Sequence, residues 1–212
     1  MLTQILRDTA AILRDRDIEV ATGVGAPLIE ARLAQLEASH GFRLPEELRS
    51  IYLTVGDGLH LSWEHEDIGG MFDIQPAADL FESTKRFRAN VADFANDPKS
   101  MDMCVDPPHR SKAFEIWESM RFWTPFSEEG NGDDFCIRPD GAVVYDQHDW
   151  FDGFGAIATT NGLVAGSSLL EFARSWSRFF FTAPVSLWWG EFGKRGGIDW
   201  EPSLFHPTFA RP

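Results

Sequence analysis

Cysteine is scarce in this sequence: 212 residues contain only Cys104 and Cys136, at no spacing that suits a metal site or a redox pair. A chain of this length buries about 70% of its unfolded surface, so a hydrophobic core can carry stability without disulfides or metals. Free thiols of this kind fit a reducing compartment, where buried cysteine behaves as a small apolar side chain. Long apolar runs are missing too. The opening stretch carries Arg7, Asp8, Arg14, Asp15, Arg16, Asp17 and Glu19, which interrupts any export signal. The most apolar segment near the other end, Phe179 to Trp189, is far short of the roughly 20 residues that span a bilayer. A cytoplasmic protein without a membrane segment is expected.

Motifs of catalysis are equally sparse. Gly23-x-Gly25 has no Gly-Lys-Ser/Thr behind it, so no phosphate loop is expected. No Gly-x-Ser-x-Gly elbow occurs, and Ser167-Ser168 precedes an apolar helical pattern that a serine would cap. The histidines His40, His60, His65, His109, His148 and His206 are scattered without a His-Glu-x-x-His pattern. The Asn131, Gly132, Asp133 and Asp134 cluster, with Asp146, His148, Asp149 and Asp152, fits no calcium loop, and turn chemistry accounts for it without a ligand. No catalytic residue, metal or cofactor is expected.

Basic residues are missing from two windows. Asp57 to Thr84 holds seven acids and no Lys or Arg; Phe122 to Asp152 holds eight acids against Arg138 alone. These windows account for the whole net charge of −14, since the rest of the chain has 18 acids and 18 bases. A field of one sign repels nucleic acid and attracts basic partners. The candidate contact residues are Asp57, Glu64, Glu66 and Asp67 in the first window, and Glu128, Glu129, Asp133, Asp134, His148, Asp149 and Asp152 in the second. Trp150 joins them. Tryptophan is ordinarily a core residue, but an exposed ring flanked by Asp149 and Asp152 would make an interface anchor.

What is present in quantity is apolar periodicity. Leu2, Ile5, Leu6, Thr9, Ile12 and Leu13 line one helical face. Thr22 to Ala26 reads as a looser segment; Pro27 then suits the first turn of a second helix that Gly41 stops. Pro45 opens a third, with Glu46 and Glu47 at its positive end and Gly56 beyond it. Leu59, Leu61 and Trp63 alternate as a strand, and Met71 to Ile74 reads as another. Pro76 to Phe94 is helical, Asn96 to Arg110 a loop, and Lys112 to Met120 a further helix. Strands are expected at Phe122-Trp123, Phe135 to Ile137 and Val143 to Tyr145, the last two joined by a tight Pro139-Asp140-Gly141 turn. A last helix runs from Ser167 to Phe181.

This order predicts an α+β fold, a mainly antiparallel sheet flanked by helices, as one domain over residues 1–183. Residues 1–16 form a helical extension, 95–111 a loop or insertion, and 184–212 a tail that packs on the domain or carries a short hairpin.

Ile29-Glu30 through Gly41-Phe42-Arg43-Leu44-Pro45-Glu46-Glu47-Leu48, Tyr52 and Gly58 resemble the N-terminal signature of the SMI1/KNR4 (SUKH) superfamily. Val55-Gly56-Asp57-Gly58 stands where that family usually shows Asn-Gly, and Asp tolerates the same turn geometry. Trp123-Thr124-Pro125-Phe126, Gly130 to Ile137, Gly141 to Tyr145 with His148-Asp149, and Ser168 to Phe172 extend the resemblance in order. Phe94 to Lys112 and the tail beyond Pro184 have no counterpart. The resemblance implies a sheet-and-helix domain that binds protein rather than catalysing a reaction. Many bacterial members look like immunity proteins that neutralise polymorphic toxins, often nucleases; fungal relatives act as regulatory scaffolds. It therefore implies a basic protein partner, a toxin domain, for a monomer or weak dimer, with a scaffold adaptor as the alternative and an unrecognised hydrolase as a third. The periodicities place Leu48, Ile51, Tyr52, Phe135, Ile137, Val143, Phe172 and Trp176 in the core.

Overall fold

The computed structural model describes residues 1–97, 110–128, 132–147, 161–183, 193–194 and 197–205. Helix α1 (Leu2–Arg14) turns Leu2, Leu6, Ala10 and Leu13 inward, the spacing of a single helical stripe. Strand β1 (Val20–Val24) follows, where a looser segment was expected. Five residues that include Gly23 carry little strand signal of their own. They become a strand because a neighbouring strand offers them a ladder.

Helix α2 spans Glu30–His40 and α3 spans Glu46–Thr54. Pro27 lies ahead of α2 rather than in its first turn, since the Leu28 N–H is spent on the Tyr52 carbonyl at 2.8 Å and the helix starts only after Ile29. Gly41 ends α2 at φ 76°, a left-handed angle that suits glycine. Arg49 of α3, 6% exposed, sits between the carboxylates of Glu37 and Glu30 from α2. Those partners, Glu37 foremost, hold its pKa above the usual guanidinium value.

Strands β2 (Leu59–His65) and β3 (Ile68–Ile74) form an antiparallel hairpin, and β1 adds to the free side of β2. Helix α4 (Ala77–Asn96) follows, and α5 (Arg110–Met120) leads to β4 (Thr124–Glu128). The strand expected at Phe122-Trp123 therefore starts two residues later. The Phe122 and Trp123 amides are taken by the Ser119 and Met120 carbonyls, both at 3.0 Å, and close α5. Strands β5 (Asp134–Ile137) and β6 (Val143–Asp146) form the expected hairpin, with Gly141 at φ 88°. Strand β7 (Val164–Gly166) was not foreseen; three residues are too few to show an alternation.

Helix α6 spans Leu169–Ser177, capped by Ser168, whose hydroxyl accepts from the Glu171 N–H at 3.1 Å. It stops short of the expected Phe181, because Phe180 and Phe181 adopt φ of 54° and 60°. That turn delivers its carbonyls to other elements. The Trp63 indole donates to the Phe180 carbonyl and the Trp176 indole to the Thr182 carbonyl, each at 2.8 Å, while the Met71 amide reaches Phe181. Short strands β8 (Gly193–Lys194) and β9 (Gly197–Ile198) complete a six-stranded sheet of order β4-β5-β6-β7-β9-β8, antiparallel except where β7 meets β9.

Alternation along β5 and β6 divides the interior. Phe135, Ile137, Val143 and Tyr145 face the main core with α6, while Cys136 and Val144 face a second cluster with Val91, Trp117, Met120 and Trp123 from α4, α5 and the following turn. Both faces of the sheet are therefore covered, which makes β6 buried throughout. All eight residues assigned to the core from periodicity are buried. Phe172 contacts Phe126, Phe135 and Trp176, with ring centroids 4.6–6.0 Å apart. Cys136 is a free buried thiol whose pKa burial pushes well up.

Phe172→Ala should lower unfolding free energy by about 3–5 kcal/mol, measured by urea denaturation, because the surrounding rings cannot collapse into the gap. Gly141→Val should lower the melting temperature more than Asp140→Ala does, since only the former forces a β-branched residue to a positive φ.

Candidate protein-binding surface

The acidic residues divide by what they touch. Asp57 follows α3, and its Oδ1 accepts the Ala77 N–H at 2.7 Å, which caps the start of α4 from across the chain. Asp133 is 2% exposed and accepts from the Tyr145 hydroxyl. Asp133 is thus withdrawn from a partner, contrary to the sequence-based expectation, while Asp57 is half-buried with one oxygen spent on the helix. Among the other window acids, Asp146 is buried and Asp140 is paired with Arg138. Asp73 lies 3.2 Å from His60 Nδ1, and burial raises its pKa against the opposing effect of that ring. Several of these acids therefore do structural work, and fewer carboxylates are free to contact a partner than the count of acids suggests.

Two places keep exposed or partly exposed acids beside a concave surface. Glu64, Glu66 and Asp67 form the exposed tip of the β2–β3 hairpin, next to a groove of about 600 Å³ floored by Trp63, Ile68, Met71 and Phe181. Glu66 itself takes φ 54°, the tight-turn conformation that ends β2. The second place is a cleft of about 450 Å³ between α4 and the β4–β5 pair, lined by Asp79, Glu82, Arg86, Asn90, Gln75 and Asp134. It brings the two acidic windows together. Asp79, Glu82, Arg86 and Asn90 follow the three- and four-residue spacing of one helical face, and β5 contributes Asp134. Glu82 also lies 3.0 Å from His40 Nε2, a bond that lowers its pKa.

Asp79 and Glu82 were counted in the charged window but not picked out as contact residues. Their helical spacing was readable; their meeting with Asp134 was not, because it depends on how α4 crosses the second sheet. Arg88 sets that crossing. Its guanidinium donates to the Trp123 and Phe122 carbonyls, both at 3.1 Å, and stands 4.4 Å over the Phe42 ring. Glu128 ends β4. Glu129, His148, Asp149, Trp150 and Asp152 lie outside the described residues, so the anchor role considered for Trp150 does too.

Among the described residues no group of three or more His, Cys, Asp or Glu side chains could hold a metal ion, and no helix is long and apolar enough to cross a membrane. Helices and two sheets make this an α+β domain. The model of the SMI1 / KNR4 family (SUKH-1) matches residues 27–180, well over half of the sequence, and the chain belongs to that family. The match begins after α1 and β1, which stand outside it. Comparison with curated proteins returns no match.

Asp57→Ala should cost about 1 kcal/mol of stability by chemical denaturation, the usual worth of a lost helix cap, whereas Glu66→Gln at the hairpin tip should change it by less than about 0.5 kcal/mol.

Proposed function

We propose that this protein is a non-enzymatic inhibitor of the immunity type, which binds a basic toxin domain and blocks it. The observation that carries this reading is the cleft between α4 and the β4–β5 pair, where Asp79 and Glu82 from one acidic window meet Asp134 from the other. A lysine or arginine of the partner entering there would leave water for a concave site with several carboxylate acceptors, the geometry in which charge-assisted hydrogen bonds are strongest. The hairpin-tip acids Glu64, Glu66 and Asp67 extend the same sign of charge and act at longer range. Nuclease domains carry the basic surfaces that bind polyanions, so an acidic inhibitor can occupy the face their substrate uses.

The test is co-expression with the product of the gene immediately upstream, whatever it proves to be, combined with association kinetics at several salt concentrations. Rescue of growth together with an association rate that falls as salt rises is expected. Asp79→Asn with Asp134→Asn should weaken binding at least about tenfold while leaving the melting temperature within a few degrees. Binding without rescue would favour the scaffold adaptor. An association rate indifferent to salt and to both substitutions would remove the electrostatic basis of the reading.

A further inference from the structure

The second recognition feature lies at the opposite end of the three-stranded sheet, in the part of the chain that precedes the family match. Strand β1 is the edge of that sheet. Its pairing with β2 runs Val20 with Trp63, Thr22 with Leu61 and Val24 with Leu59, and the Gly25 N–H donates to the Gly58 carbonyl at 3.3 Å. In an antiparallel ladder the residues alternate between pairs that exchange hydrogen bonds and pairs that do not. Gly25 is of the first kind, so Gly23 and Ala21 point their backbone groups at β2, and Val24, Thr22 and Val20 point theirs away. The Val20 carbonyl is already met by the Arg14 guanidinium at 3.1 Å. The outward N–H and C=O of Thr22 and Val24 have no partner among the described residues.

The side chains beside this edge are also incompletely covered. Leu59, Leu61 and Trp63 are buried, and their cross-strand partners Val24, Thr22 and Val20 share that face. Helix α1 covers the Val20 end only: Val20 is 8% exposed, Val24 59%. Between α1 and the bare end lies a notch of about 280 Å³ with Leu6, Ala10 and Leu59 in its lining. The charged side chains around it are Arg7 and Arg14, with no carboxylate among the lining residues. Arg7 is exposed and makes no ion pair among the described residues. On a chain of net charge −14 this is a local positive rim. The edge strand itself, Val-Ala-Thr-Gly-Val, has none of the charge, proline or bulge that natural edges use against pairing.

We infer that the β1 edge takes up an extended, carboxylate-bearing segment of another protein as an added antiparallel strand, with one apolar side chain in the notch under α1. The backbone of Thr22 and Val24 supplies the register, the notch selects a medium-sized aliphatic residue, and Arg7 and Arg14 select a neighbouring acid. The acidic cleft proposed for a basic partner is separate, and failure of either reading leaves the other standing.

The probe is a capped heptapeptide, Glu-Val-Thr-Val-Thr-Val-Glu, added at millimolar concentration to the ¹⁵N-labelled full chain, with a lysine-ended counterpart as control. Slowed hydrogen exchange at the Thr22 and Val24 amides is expected, with Ala21 and Gly23 unchanged because β2 already holds them. Thr22→Pro removes an outward donor without touching a ladder bond and should abolish binding. Should that variant not fold, Arg7→Glu should weaken the acidic peptide about fivefold and reverse the preference between the two peptides. No added protection at Thr22 and Val24, or equal binding of both peptides, overturns the inference. So does protection of these amides that grows with protein concentration in the absence of peptide, since the occupant would then be a second copy of this chain.

Discussion

The ring contacts of Phe172 and Trp176 hold this structure together, because they are where both sheets meet the same helix. Phe72 comes from the three-stranded sheet and Phe126 and Phe135 from the six-stranded one, and all three lie against one or both of these α6 rings. Rings of this size bury more apolar area than any other side chain, and their edge-to-face and tilted contacts add orientation to that burial. The sheets themselves are joined thinly at the backbone, by a Gln75 amide 3.5 Å from the Phe126 carbonyl. Their mutual position is therefore set by side chains packed on α6. The tail adds to the same cluster, with Phe205 stacked on Phe179 at 3.8 Å and Trp200 6.0 Å from Phe172.

An aromatic core raises a problem that aliphatic cores do not, since each indole brings an N–H that must find an acceptor. For Trp63 and Trp176 the chain after α6 supplies the acceptors. Phe180 and Phe181 accept positive φ angles, and in that conformation the Phe180 carbonyl meets Trp63 and the Thr182 carbonyl meets Trp176. Gly70 completes the arrangement: a Cβ there would come within 2.4 Å of the Phe180 carbonyl oxygen. The cost of the strained turn is offset by two buried donors that would otherwise be unsatisfied. Arg49 follows the same logic at the α2–α3 contact, where a buried guanidinium is tolerated because carboxylates of α2 surround it.

These cases explain which features could be read from the sequence. Helices α1, α3, α4 and α6 and the β5–β6 hairpin declare themselves through local periodicity and turn residues, and the eight expected core positions follow from the same patterns. Strands β1 and β7 do not, because they are short and no tight turn joins either of them to a neighbouring strand in sequence, so each exists only through a distant partner. Phe122 and Trp123 look like a strand because they are aromatic, yet their amides belong to the end of α5. The C-terminal limit of α6 is set in part by carbonyls that Trp63 and Met71 require from more than a hundred residues away in the chain, which no window of sequence contains. The site was legible to the same degree. A charge bias is a sum over residues, and it can be read without a structure; the partner of each charge cannot.

Charge illustrates the point most directly. Asp57, Asp73, Asp133 and Asp140 belong to the acidic windows, yet one caps a helix, one faces a histidine, one accepts from a buried tyrosine and one pairs with an arginine. Each has acceptor capacity already spent on a donor within the chain, and Asp140 is also paired with the full positive charge of Arg138. Among the described window residues, acids beside a concave surface are found at the β2–β3 tip and along one face of α4. Screening confines fields at physiological salt to about 8 Å, so separate clusters act on whatever part of a partner lies nearest rather than as one surface. The arginine-rimmed β1 edge can therefore keep its own sign on a strongly acidic protein. Local arrangement, rather than net charge, decides which kind of partner each face admits.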